Sequence, residues 1–174
     1  MDYSLELAKP VLRQTPLVLK AMLANLPEEW VHVSEAPDAW TPYQVVGHIA
    51  SVEENDWIDR TRTILEHGPS RIFQPIDREA GFERFKGVSL PDLLDRFAEM
   101  RISNLLLLDS LIDAEDLDKR GMHPDFGEVR LGQLLSAWVV HDQNHVDQIV
   151  KTMAKQYATA VGPWRAYLPI LDAP

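Results

Sequence analysis

Helical periodicity bounded by strong punctuation is what most constrains this chain. Four long segments place apolar residues at three- and four-residue spacing. The first runs from about Ser4 to Leu26. Pro10 and Pro16 interrupt it, which predicts a kink or a split, and Thr15-Pro16 reads as an N-cap followed by proline at the first helical position. Pro27 closes the segment. The second opens at "TPYQ", where Thr41 caps, Pro42 suits the first turn and Gln44 reaches back in a capping box. Val45, Ile49, Val52 and Ile58 carry it to about Glu66, and Gly68-Pro69 stops it. The third starts at the cap Ser89 and continues through Leu93, Leu94, Phe97, Met100, Leu105, Leu108 and Leu111. The fourth runs from about Arg130 to Tyr157, with Leu131, Leu134, Trp138, Ile149 and Met153 on one side. Arg130 is a poor cap, so its start is indistinct.

The connections complete the architecture. Residues 69–88 contain Pro69, Pro75, Gly81 and Gly87 and read as a long crossover with one short helix near Arg78–Phe85. Residues 113–129, marked by Gly121, Pro124 and Gly127, read as a second connection, and no strand pair with hairpin punctuation competes. The expectation is an all-α fold, one four-helix bundle domain spanning residues 1–174. Its link between helices two and three, about 20 residues, is long enough to cross the bundle. The closing "VGPWRAYLPIL" is expected to pack over the bundle end or to serve a dimer contact.

Composition narrows function. The chain of 174 residues is 45% hydrophobic and 25% charged, the balance of a globular protein with a sizeable core. It has no cysteine, which removes disulfides, thiolate metal sites and a cysteine nucleophile together. Lysine and arginine total 17 against 27 acidic residues, a formal net charge of −10. A phosphate backbone or an anionic membrane repels such a chain, so no nucleic-acid partner is expected. "MDYSLELAKP" lacks the basic and apolar regions of a signal peptide, and no apolar run approaches the ~18 residues of a membrane span. These features predict a cytoplasmic protein with no membrane partner.

The six histidines divide into two groups. His32, His67 and His123 lie in loops or in a last helical turn, where surface or capping roles suffice. His141 and His145 instead continue the inward stripe Leu134–Trp138–Ile149. At i and i+4 their rings share one helix face. A buried imidazole pair is costly unless hydrogen-bonded or metallated. His48 lies on the inward side of the second helix, between Val45 and Val52, and can supply a third ligand from a facing helix. Three neutral imidazoles suit zinc, nickel, iron or copper rather than magnesium or calcium, and three protein ligands leave a position open, as catalytic sites do. Asp142 invites comparison with the HExxH helix of metalloproteases. It does not match, because its carboxylate is one methylene shorter. Asp142, Gln143 and Asn144 read as outer or supporting groups. In "EENDWIDR", Glu53, Asp56 and Arg60 can meet at helical spacing around Trp57, either as a surface ion pair beside a core tryptophan or with Glu53 or Arg60 in a pocket wall.

Five stretches together carry a family resemblance: "WTPYQVVGH" (40–48), Glu53-x3-Trp57-x2-Arg60, "FGEVRLGQLL" (126–135), "WVVHDQNHVDQI" (138–149) and "GPWRAYLPIL" (162–171). In these the chain resembles the DinB-like superfamily, also called the YfiT-like metal-dependent hydrolases, in order and over nearly its whole length. Arg130 departs from the Ser/Thr-like cap expected there. The resemblance implies a four-helix bundle with a long crossover, often a homodimer. It also implies a divalent metal, usually nickel or zinc, held by three histidines, here His48, His141 and His145. Some relatives are thiol-dependent transferases, including bacillithiol transferases, so a low-molecular-weight thiol is an expected cofactor and a small molecule the expected substrate. The chain therefore reads as a metal-dependent thiol S-transferase or hydrolase that activates a thiol or water. The alternative is a non-catalytic metal-binding or dimerisation bundle, to which the leucine-rich "NLLLLDSLI" could contribute.

Overall fold

The computed structural model describes residues 3–172. Its framework is built from α1 (Leu5–Leu23), α3 (Pro42–Asn55) continuing into α4 (Trp57–His67), α6 (Leu90–Leu111) and α7 (Leu131–Lys155), with a short α2 (Glu28–Val31) after Pro27. The capping box at Thr41 is complete. Its Oγ1 accepts from the Gln44 N–H at 3.2 Å, and Gln44 Oε1 accepts from the Thr41 N–H at 2.9 Å. Ser89 caps α6 as expected, its Oγ accepting from the Asp92 N–H at 3.2 Å. The Arg130 departure resolves without a side-chain cap from that residue. Gln133 Oε1 accepts the Arg130 N–H, and the Leu131 N–H donates to the Lys119 carbonyl.

Three details differ from the sequence expectations. Pro10 and Pro16 neither split nor end α1 but lie inside one continuous helix. Thr15 is accordingly buried mid-helix and caps nothing. Each proline removes one helical N–H, and burial of Leu12, Leu19 and Leu23 against the core outweighs that local cost. The second helical arm is broken at Asp56, whose φ −126°, ψ −65° separates α3 from α4. The 113–129 connection holds a hairpin, β1 (Arg120–His123) antiparallel to β2 (Gly127–Arg130), with Arg120 opposite Arg130. Strands of four residues show too little alternation to register as strands in the sequence.

The helices are not arranged in chain order around the bundle. α1 packs beside α6 and α7, and α3 also packs beside α6 and α7. α1 and the α3/α4 arm therefore occupy opposite corners. Consecutive long helices are joined diagonally in two cases, from α1 to α3 and from α6 to α7. One part of the core gathers Trp57, Leu105, Leu135 and Trp138; the other gathers Ile49, Phe85, Phe97 and Ile149.

The crossover is seated rather than loose. Its α5 (Ala80–Arg84) packs on α3 through a glycine-to-glycine contact. A Cβ at Gly81 would stand 2.3 Å from the Gly47 carbonyl oxygen. Gly81 must lack a side chain for that approach, whereas a Cβ at Gly47 would meet the Gly81 carbonyl oxygen at an ordinary 3.4 Å. Gly47 immediately precedes His48, so this contact fixes the crossover against one candidate ligand. The closing segment forms two 3₁₀ turns, Gly162–Tyr167 and Pro169–Leu171. Leu171 is buried there and the second turn lies against α7, while Trp164 and Tyr167 stay exposed.

Candidate metal centre

The i,i+4 spacing on α7 brings the His141 and His145 rings together, and α3 delivers His48 from across the bundle. The Nε2 atoms converge: His48 to His141 is 3.2 Å and His145 to His141 is 3.1 Å. The three donor atoms lie within 4.8 Å of one another. Donors about 2.0–2.1 Å from one ion stand roughly 2.8–3.4 Å apart in octahedral or tetrahedral geometry, so the two short separations suit a shared ion.

The other ring nitrogens explain the orientation. His48 Nδ1 lies 2.9 Å from the Arg78 carbonyl oxygen, which can only accept, so the proton sits on Nδ1 and the Nε2 lone pair faces inward. His145 Nδ1 lies 2.8 Å from Gln148 Oε1 and is set the same way. Two lone pairs therefore face the third ring at short range, and a cation between them relieves the repulsion. Nδ1 of His141 is buried with no partner among the described residues. Burial holds all three imidazoles neutral. It lowers His48 to about 4, helped by His145, and His141 to about 3, helped by the other two histidines. His145 is lowered too, again chiefly by burial. Neutral nitrogen donors of intermediate softness fit zinc, nickel, copper or iron and offer little to magnesium or calcium.

Two tryptophans flank the triad. Trp40 stands 5.0 Å from the His48 ring and stacks at 6.4 Å on His145, and Trp57 presents its edge to His141 at 5.3 Å. With Arg78 and Asn144 they border a cavity of about 280 Å³ that opens on the three rings. A larger recess of about 820 Å³ lies where α1 ends and α6 begins, lined by His32, Tyr43 and Lys86. No comparable convergence of donors occurs there, so size does not locate the chemistry.

Beneath the triad is a buried charge network. Arg101 of α6 donates to Glu53 of α3 at 3.0 and 2.9 Å and to Asp142 of α7 at 2.6 and 3.0 Å, and also to the Leu12 carbonyl of α1. One guanidinium thus ties the helices that carry the histidines. Asp142 is a supporting group, as its position suggested, whereas Gln143 and Asn144 are exposed. The expected Glu53–Asp56–Arg60 meeting is only half formed. Arg60 Nε lies 2.6 Å from Asp56 as a buried charge pair, while Glu53 turns the other way to Arg101. Arg60 does enter a pocket wall, beside Trp57 and Phe73.

The remaining histidines stay apart from the triad. His32 packs on Tyr43, His67 lies beside Arg71 and Glu66, and His123 Nδ1 accepts backbone N–H groups of its own turn. Sequence reasoning missed Arg78, Arg101 and Gln148. Gln148 follows His145 by three residues and was open to a helical-spacing argument. The two arginines reach the site only through tertiary packing.

No helix among the described residues is long and apolar enough to cross a membrane. The DinB superfamily model matches residues 12–149. A protein of Bacillus licheniformis, inferred to be a metal-dependent hydrolase, is 30% identical over 142 residues, 79% of this chain and 78% of its own. A Bacillus cereus protein with the same description is 26% identical over 145 residues, 77% of this chain and 76% of its own. Among solved structures, YfiT from Bacillus subtilis superposes with a TM-score of 0.74 at 22% identity, covering 87% of each chain, and is described as having an unusual four-helix bundle topology. A bundle with its helices out of chain order, a three-histidine cluster and a family match over most of the sequence agree: the chain belongs to the DinB superfamily.

Proposed function

We propose that His48, His141 and His145 bind one divalent ion, nickel or zinc, and that the protein is a metal-dependent enzyme acting on a small molecule as a thiol S-transferase or hydrolase. The observation that carries this is the convergence of three Nε2 atoms on an open cavity, with no carboxylate among the described residues completing the set. A divalent ion held there supplies Lewis acidity that lowers the pKa of a thiol or water at its free position. The chain's own residues do the rest. The Arg78 carbonyl and Gln148 fix the ring tautomers, Trp40 and Trp57 restrict water, and the Arg101 network keeps α3 and α7 in register. The chain has no cysteine, so a thiol nucleophile must arrive as a small molecule. Trp57 and Ile76 also border a second cavity of about 480 Å³ walled by Phe73, Phe126 and Leu134, room for an apolar arm of the substrate.

The test is metal analysis of gently purified protein beside His141→Ala, followed by turnover assays. One assay joins small thiols to an aryl halide and the other hydrolyses activated esters. Wild-type protein that carries no stoichiometric metal and rebinds none would end this reading. Metal without turnover in either assay would favour the non-catalytic alternative. A homodimer remains part of the proposal. Leu7, Val11 and Val18 on α1 share one exposed face, and Ile102 and Leu106 share another on neighbouring α6. Light scattering of the purified protein checks it.

A further inference from the structure

Arg78 is the one residue of the crossover whose backbone carbonyl meets a triad histidine among the described hydrogen bonds, and this exposed arginine lines the same cavity. Its guanidinium has no hydrogen bond or ion pair among the described residues. The carboxylates around it are accounted for otherwise. Asp142 and Glu53 face Arg101. Asp77 Oδ1 accepts from the Glu79 N–H. Asp38 shares a shallow outer recess with Arg78 but forms no ion pair with it. Asn144, one residue before His145, lines the cavity with its amide equally unengaged.

These facts define the electrostatics of the cavity. Three neutral imidazoles bring no negative charge to a bound dication. Arg78 adds a further positive charge at the cavity, and no carboxylate among the described residues lines it. In a protein of formal net charge −10 this is a local cationic cup. Its two idle donors, a fork-shaped guanidinium and an amide, suit a planar anion.

We propose that Arg78, assisted by Asn144, is a specificity-determining residue that pairs with a carboxylate on the molecule whose reactive atom sits at the triad. The inference rests on the metal reading above and narrows its substrate class to carboxylate-bearing small molecules. The Gly47–Gly81 contact and the His48–Arg78 carbonyl bond place this recognition group at a fixed offset from the reacting position. Such an offset selects the ligand by length as well as by charge.

The test uses cobalt-loaded protein and reads binding from the visible cobalt spectrum. Two probe pairs separate the sources of the carboxylate: 3-mercaptopropionate against 2-mercaptoethanol for a thiol, and succinic monohydroxamate against butyrohydroxamate for a hydrolysed substrate. The acid member of at least one pair is expected to bind about 10- to 100-fold more tightly, the range of one charged hydrogen-bonded contact. Arg78→Met is expected to abolish that preference while leaving the neutral probe unchanged, and Arg78→Lys to restore part of it. The backbone carbonyl survives both substitutions, so cobalt loading should match the wild type. A preference in neither pair, or one that persists in Arg78→Met, overturns the inference and leaves the metal reading standing. Protein that takes up no cobalt overturns both.

Discussion

Arg101 of α6 and Asp142 of α7 hold each other through two bonds, 2.6 and 3.0 Å, with both side chains about 1% exposed. Glu53 of α3 completes the network from the other side. Burial pushes the Glu53 carboxyl upward while Arg101 opposes it. The gain from pairing and the cost of desolvation nearly cancel in such clusters, but removing the central cation leaves two buried carboxylates uncompensated. Arg101→Met is therefore expected to lose about 3–5 kcal/mol, measured by urea unfolding at neutral pH. The triple variant Arg101→Met, Glu53→Gln, Asp142→Asn should recover a large part of that loss.

Removing one ring from the triad should affect metal far more than fold. His141→Ala leaves two donors on different helices, and a bound ion loses the ligand nearest both others. Stoichiometric metal by mass spectrometry should fall to a trace, with helical circular dichroism unchanged. An ion that binds only the folded state stabilises it by RT ln(1 + [L]/Kd), about 4 kcal/mol at a thousandfold excess over Kd. Chelation should therefore lower the wild-type melting temperature, and nickel or zinc should restore it. In His141→Ala neither treatment should shift it.

These variants probe features that were unequally legible. The capping residues Thr41, Gln44 and Ser89 act within four residues of themselves, so their signals survive in a bare sequence. The histidine pair on α7 was legible for the same reason, and His48 because its helix face is periodic. Arg101 was not, since its partners Glu53 and Asp142 lie 48 and 41 residues away and only the bundle joins them. Arg78 sits in a stretch without periodicity, and its meaning depends on where the crossover docks. The same limit hid the continuity of α1 through two prolines, because tertiary burial overrode a correct local signal.

The Gly47–Gly81 contact gives a prediction at one remove from the metal. Gly81→Ala places a methyl 2.3 Å from the Gly47 carbonyl oxygen and 2.6 Å from its carbon, both backbone atoms that cannot rotate away. The α5 turn must lift. Overpacking of this kind costs about 1–3 kcal/mol. Lifting α5 also draws the Arg78 carbonyl from His48 Nδ1, and loss of such a supporting bond weakens metal binding about 10- to 100-fold. Competition with a calibrated chelator reads the affinity, and urea unfolding reads the stability. Unchanged affinity alongside lowered stability would show that the crossover does not position His48.

Asp56, at the α3/α4 break, predicts a pH dependence outside the triad. Burial raises its carboxyl from 3.8 to about 6, with Arg60 opposing the rise. A raised folded-state pKa means the folded protein holds this proton more tightly than the unfolded chain. The associated stability is complete below about 3.8 and is lost as pH rises through about 6. About two units correspond to roughly 3 kcal/mol at most, and 1–3 kcal/mol is the working range. Asp56→Asn removes the titration while keeping the side-chain shape. At pH 4 both proteins present an uncharged group to Arg60 and should be similarly stable. At pH 7 the wild type should be the weaker of the two by that amount. Urea unfolding of both proteins across this range isolates the term, because every other carboxylate titrates alike in each. A wild type that gains on Asp56→Asn with rising pH would mean that the charge pair with Arg60, at 2.6 Å, outweighs burial.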